Sequence, residues 1–123
     1  MFEDSRGPIE HFAWGTFTIA GYKGAELGKD IRLIGMEASS WRERKGHKLQ
    51  PAMITGVYGR DVEVLVIGAG VYGSLRCSKK VRAAIREQGI PDLIVEHTPE
   101  ACRIYNDLFH QGKRVALLAH GTC

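Results

Sequence analysis

The stretch Val62-Glu63-Val64-Leu65-Val66-Ile67-Gly68-Ala69-Gly70-Val71-Tyr72-Gly73 carries an apolar run straight into three glycines. A run that is apolar at consecutive positions, not at every second one, fits a strand covered on both faces, as strands of a parallel sheet are. The G-x-G-x-x-G that follows has the form of a dinucleotide-binding turn, in which glycines permit a tight bend and close backbone approach to a pyrophosphate.

Downstream of the turn the pattern alternates. Ser78 is expected to cap a helix running to about Gln88, stopped by Gly89 and by Pro91 beyond it. On that helix Val81, Ala84, Ile85 and Gln88 share one face, and Lys79, Arg82 and Arg86 another. Leu93 to Val95 reads as a second strand. Thr98 as N-cap, Pro99 at the first helical position and Glu100 in the first turn open a second helix, which ends at Gly112. Arg114 to Ala119 is the last strand. Apolar strands alternating with helices imply parallel pairing through right-handed crossovers.

Upstream the texture differs. His11 to Trp14, Thr16 to Ile19 and Asp30 to Ile34 are short β-type stretches, with Gly21, Gly24 and Gly28 punctuating the turns between them. An antiparallel region is expected here. Ser39 to Gln50 has no apolar period and reads as a loop carrying four basic residues, a Trp and a His. Pro51 opens a short helix expected to end near Tyr58-Gly59.

The glycine turn meets two objections as a cofactor site. A dinucleotide fingerprint starts its helix at the glycines, so that the helix N-terminus faces the phosphate, whereas Ser74-Leu75-Arg76-Cys77 intervene here before Ser78. Residues 62–119 also make only one βαβαβ half-unit. In its favour, Glu96 closes the second strand roughly 20 residues past the glycines, where an acid would meet a ribose. The balance assigns no cofactor: Gly68 and Gly70 are expected to shape a tight turn at the carboxyl edge of the sheet.

The bulk numbers exclude several classes. A chain of 123 residues reads as a single domain, 1–123, able to bury a core without disulfide or metal. Hydrophobic residues at 44% and charged ones at 25% are those of a globular protein, neither disordered nor fibrous. Glu3, Asp4 and Arg6 stand where a signal peptide needs an apolar stretch, and runs such as Val115 to Ala119 are too short for a membrane span. A soluble, cytoplasmic protein is expected. Cys77, Cys102 and Cys123 form no C-x-x-C pair, so neither a zinc site nor a redox motif is assigned. A net charge of +3 does not by itself call for nucleic acid.

Taken jointly, Ser40-Trp41-Arg42-Glu43, His47, Leu65-Val66-Ile67-Gly68-x-Gly70, Tyr105-Asn106 before Gly112, and a terminal His120-x-Thr122-Cys123 give an order that resembles a small uncharacterised α/β family. Its relatives include a cytosolic adipogenesis-associated protein and a mitochondrial assembly factor for respiratory complex I. The likeness runs from about Ile9 to Cys123. It implies a three-layer α/β domain with a mixed central sheet and a small antiparallel β layer, in a family whose members are described mostly as proteins of unknown function or as assembly helpers, without an established catalytic set.

Two constellations are candidates for chemistry. His120 and Cys123, with Thr122 between them, end the last parallel strand on the edge that also carries the glycine turn. Such a pair could act as base and nucleophile. Against this, a terminal carboxylate on Cys123 would oppose a thiolate, so a docked chain end with His120 hydrogen-bonding locally is expected instead. Trp41, Arg42, Glu43 and His47 form the second constellation. Either their loop folds over the glycine edge with Arg42 facing a carboxylate or phosphate, or Arg42 and Glu43 make structural ion pairs and Trp41 anchors packing. Arg44, Lys45 and Lys48 read as a solvated basic rim. Lys79, Arg82 and Arg86 read as a solvated helix face, and Cys77 and Cys102 as small, largely buried thiols.

The expected function is therefore a non-enzymatic interaction or assembly-factor-like module. The alternative is a binder of, or enzyme on, a small anionic metabolite or nucleotide. The candidate pocket comprises Trp41, Arg42, Glu43, His47, Gly68, Gly70, His120, Thr122 and Cys123. No catalytic residue, metal or cofactor is assigned. A protein partner or a small anion is expected; nucleic acid and membrane insertion are not.

Overall fold

A computed structural model of the chain describes residues 1–23 and 26–123. Gly24, one of the expected turn glycines, lies outside the described residues. The strands are β1 (Phe2–Glu3), β2 (Ile9–Ala13), β3 (Thr16–Ile19), β4 (Asp30–Ile34), β5 (Glu37–Ser40), β6 (Val64–Ala69), β7 (Asp92–Glu96) and β8 (Val115–His120). The helices are α1 (Lys79–Glu87) and α2 (Thr98–His110), and Pro51–Met53 forms one 3-10 turn.

The fold is the expected mixed α/β architecture. β1, β2 and β3 make a small antiparallel sheet, and the main sheet has the order β5-β4-β8-β6-β7. β6 pairs in parallel with both β7 and β8, while β8 pairs antiparallel with β4. From β6 the chain crosses outward to β7 and then back over β6 to β8. A reversal of direction with unchanged crossover hand moves the second helix to the opposite face of the sheet. Accordingly α1 buries Val81 and Ile85 with Leu65, Ile67, Ala116 and Leu118, whereas α2 buries Ala101, Cys102 and Tyr105 with Val64, Val66, Leu117 and Ala119.

Each face has a second cover. The small sheet adds Ile9, Phe12, Phe17 and Ile19 beside α2, with the Phe12 and Phe17 rings 4.6 Å apart. On the α1 side Trp41, Leu49, Ile54 and Val57 complete the layer. The segment 41–57 is thus a cover built from irregular chain, and the helix expected from Pro51 to Tyr58-Gly59 stops at Met53 because Ile54 and Val57 turn into the core. A missed element is β5: Ser39 and Ser40, read as loop, pair with Arg32 and Ile31.

Buried polar side chains lock the layers. Asn106 accepts from the Ile9 amide at 3.0 Å and donates to the Ile9 carbonyl at 2.8 Å, pinning the small sheet to α2. Tyr105 donates to the Gly35 carbonyl at 2.6 Å, holding the β4–β5 turn to the same helix. Replacing Asn106 by Leu strands both main-chain groups of Ile9 in an apolar layer, where each unpartnered group costs about 1–3 kcal/mol. Asn106→Leu is expected to lower unfolding free energy in urea by about 2–4 kcal/mol, against a near-neutral Lys80→Ala control.

Candidate functional site

Strand β6 ends at Ala69 and opens the glycine turn at the carboxyl edge of the sheet, with Ala69 in register with His120 of β8. Gly68 is not part of the turn. It is a buried strand residue on which any Cβ would press against Thr98 Oγ1 and Ala119. Gly70 makes the bend, with φ of +97°, and a Cβ there would fall onto the main chain of Cys123.

The amides of the turn are spent on the end of the chain. The Val71 amide donates to the Thr122 carbonyl at 2.6 Å, and the Tyr72 and Ser74 amides both donate to the Cys123 main-chain oxygen at 3.2 Å. Donors that would cradle a pyrophosphate in a nucleotide fold therefore hold residues 122 and 123. Thr98 also departs from expectation: His97 takes the cap position of α2, and no side chain caps it. The Thr98 hydroxyl donates to the His120 carbonyl at 2.6 Å and accepts from the Gly70 amide at 2.9 Å, so it ties two strand ends together instead of serving its own helix.

His120 is buried, and its Nδ1 lies 2.9 Å from Asp30 Oδ1. A carboxylate only accepts, so Nδ1 carries the proton and the lone pair sits on Nε2 when the ring is neutral. Asp30 is held in turn by the Gly121 amide at 3.0 Å and by Arg44 Nε. Arg44, read as part of a solvated rim, is instead a partly buried partner of this carboxylate, while Lys45 and Lys48 are exposed as expected.

Beyond His120 Nε2 stand Thr122 Oγ1 at 3.4 Å and Cys123 Sγ at 3.8 Å. His47 Nε2 reaches the same sulfur at 3.3 Å. It arrives because the segment around residue 48 bridges to the chain after the glycine turn: the Arg76 amide donates to the His47 carbonyl at 2.8 Å, and the Leu49 amide to the Arg76 carbonyl at 2.9 Å.

The other loop residues separate by role. Trp41 is buried, and its indole N–H donates to the Met53 carbonyl at 2.8 Å. Glu43 accepts from Arg32 and from the Thr55 hydroxyl, each at 2.7 Å. These contacts, the Thr55 hydrogen bond foremost, hold its carboxyl below the usual range. It is a clasp between the loop and β4, away from the glycine turn. Arg42 is exposed and has no ion pair among the described residues. It lines a cleft of about 490 Å³ with Lys29, Asp30, Ser40, Arg44 and Thr122. Next to this cleft Gly15 turns over Lys29 and Thr122, its amide bonded to the Gly121 carbonyl at 2.7 Å. Its neighbour Trp14 meets Tyr72 with ring centroids 5.7 Å apart, and both are exposed.

The structure thus brings His47, Gly70, His120, Thr122 and Cys123 together, keeps Arg42 nearby with the buried Trp41 in the wall of its cleft, and sets Glu43 and Gly68 to structural work. Sequence reading missed Asp30, Arg44, Thr98, Trp14 and Tyr72. The first two carried no signal, since the Asp30–His120 register joins residues of opposite halves. Cys77 and Cys102 are free thiols raised above their usual pKa by burial, which makes both sluggish. Gly89→Ala, open in space but at positive φ, is expected to cost about 1–2 kcal/mol, and Gly70→Ala clearly more because Cys123 must also move. Thermal melts of the two variants side by side check the ranking.

The fold has counterparts in solved structures. A conserved hypothetical protein from Pyrococcus horikoshii superposes with a TM-score of 0.78 at 24% identity, over 94% of this chain and 98% of its own. A protein described as an outer membrane protein from Bartonella henselae gives 0.73 at 24%, over 94% and 95%. A Xanthomonas campestris protein solved by NMR gives 0.68 at 25%, over 92% and 83%. These likenesses speak to the fold. Among the described residues no helix is long and apolar enough to cross a membrane. Residues 9–120 match the family of proteins of unknown function DUF498/DUF598, and the chain belongs to that family.

Proposed function

We propose that the protein is a non-enzymatic binding module that receives an acidic segment of a partner protein at the carboxyl edge of its main sheet, in the manner of an assembly helper. The exposed pair of Trp14 and Tyr72 carries this reading. Trp14 is 48% and Tyr72 72% solvent-exposed, although most large apolar side chains of this chain are buried. Aromatic anchors of this kind are enriched at the energetic centres of protein interfaces. The two rings come from different layers, the β2–β3 turn and the glycine turn, and both turns are hydrogen-bonded to residues 121–123. A platform fixed before binding loses little entropy when a partner arrives. With Asp30 paired to Arg44, Lys29 and Arg42 outweigh Glu26 in the adjoining cleft, and this positive balance favours acidic partners. The resemblance to a family that includes an assembly factor for respiratory complex I supports the same reading.

Peptide display against the immobilised protein should enrich acidic sequences with an aromatic or aliphatic anchor. A Trp14→Ser/Tyr72→Ser double variant is expected to raise their Kd at least tenfold, about 1.4 kcal/mol. Enrichment that is blind to both substitutions overturns the proposal.

A second reading, binding of or action on a small anionic metabolite or nucleotide, is favoured by the cleft itself. Its volume of about 490 Å³ falls within the range of small-molecule sites, and Arg42, without an ion pair among the described residues, presents its guanidinium fork to it. Thermal-shift screening with NAD, FAD, nucleotides and phosphorylated metabolites is expected to raise Tm for one class and to lose that rise in Arg42→Ala. A flat response to all of them removes this reading.

A further inference from the structure

We infer that His47, His120 and Cys123 form a metal site for an ion that prefers imidazole and thiolate ligands, with Zn²⁺ as the best fit. Their donor atoms, His47 Nε2, His120 Nε2 and Cys123 Sγ, all lie within 4.8 Å of one another. The sulfur is 3.3 Å from one nitrogen and 3.8 Å from the other. A tetrahedral ion with bonds of about 2.0–2.1 Å to nitrogen and 2.3 Å to sulfur sets N···S separations near 3.6 Å, so the two sulfur distances already bracket the requirement. Two imidazole nitrogens, that of His120 aimed by Asp30, converge on this one sulfur.

An independent observation lies behind the ring. Asp30 accepts from His120 Nδ1 and is itself fixed by the Gly121 amide and Arg44. A carboxylate on the far nitrogen of a histidine fixes its tautomer and aims Nε2, which is the arrangement found behind metal-ligating histidines. His47 is delivered from the other side by the main-chain bridge to Arg76. Three protein ligands leave the fourth tetrahedral position open, as in zinc sites that take up water or an external ligand. Binding replaces the sulfur's proton: Cys–SH and Zn²⁺ give Cys–S–Zn and one H⁺ released to solvent. This inference does not rest on the docking surface or on the Arg42 cleft, whose wall shares Asp30 with it, and its test leaves Trp14, Tyr72 and Arg42 unaltered.

Chelator-stripped protein titrated with Co²⁺ should bind one equivalent and develop thiolate-to-cobalt charge transfer together with tetrahedral d–d bands, both lost on displacement by Zn²⁺. Cys123→Ser should abolish the charge-transfer band. His47→Gln, on an exposed loop, should weaken binding at least tenfold, and Asp30→Asn about 10–100-fold with the ligands intact. Circular dichroism of each variant confirms that it is folded. Zn²⁺ should also protect Cys123 from alkylation by iodoacetamide in mass-mapped peptides without altering Cys77. Absence of charge transfer in the wild type overturns the assignment. So does affinity for Co²⁺ unchanged in His47→Gln, or alkylation of Cys123 that ignores Zn²⁺.

Discussion

Strand β8 is the element on which the remainder of this structure depends. It pairs in parallel with β6 on one side and antiparallel with β4 on the other, and both its faces are buried. Through it the βαβαβ half of the chain and the antiparallel half become one sheet. Removing it would leave the β4–β5 hairpin without a neighbour and strip both cores of their central row, Val115, Leu117 and Ala119 on one face and Ala116 and Leu118 on the other. Because the strand is covered twice, its sequence is apolar at five successive positions, as the two-faced burial requires.

The same strand determines where chemistry can happen. Its carboxyl end lies beside that of β6 and opposite the start of β4, so the glycine turn, Asp30 and residues 120–123 share one edge. Open α/β sheets bind ligands at such edges. Here the edge is partly filled from within: the glycine-turn amides hold the main chain of residues 122 and 123, and the Thr98 hydroxyl stitches Gly70 to His120. The dinucleotide pattern is thereby put to another use. Glycine is required at position 70 because another stretch of backbone packs there, which is the same steric demand that a pyrophosphate makes.

Much of the fold could be read from the chain. β3 and β4 have the expected limits, and β7 and β8 differ from expectation by one residue at each end. Strong periodicity and continuous apolar runs act locally, so they survive whatever the tertiary context is. β5 was invisible because Glu37-Ala38-Ser39-Ser40 is an edge strand with one partner, and an edge tolerates polar residues on a half-exposed ladder. Thr98 misled for the opposite reason. Its position before Pro99 is that of an N-cap, yet two strand ends offered its hydroxyl a buried donor and acceptor, and unpaired groups there would cost more than an uncapped helix.

The candidate site divides along the same line. From the sequence alone one could place the glycine turn, His120 and Cys123 at one sheet edge, because strand direction and helix alternation follow from pattern. The tertiary structure decided the rest. It brought His47 from a loop with no periodicity, set Asp30 behind His120 through an antiparallel register between residues at opposite ends of the chain, and turned Trp41 inward and Arg42 outward. Local propensity is written within a few residues of each position. The partner of a side chain is chosen by which strand ends come to lie side by side, and that is settled only when the sheet closes around β8.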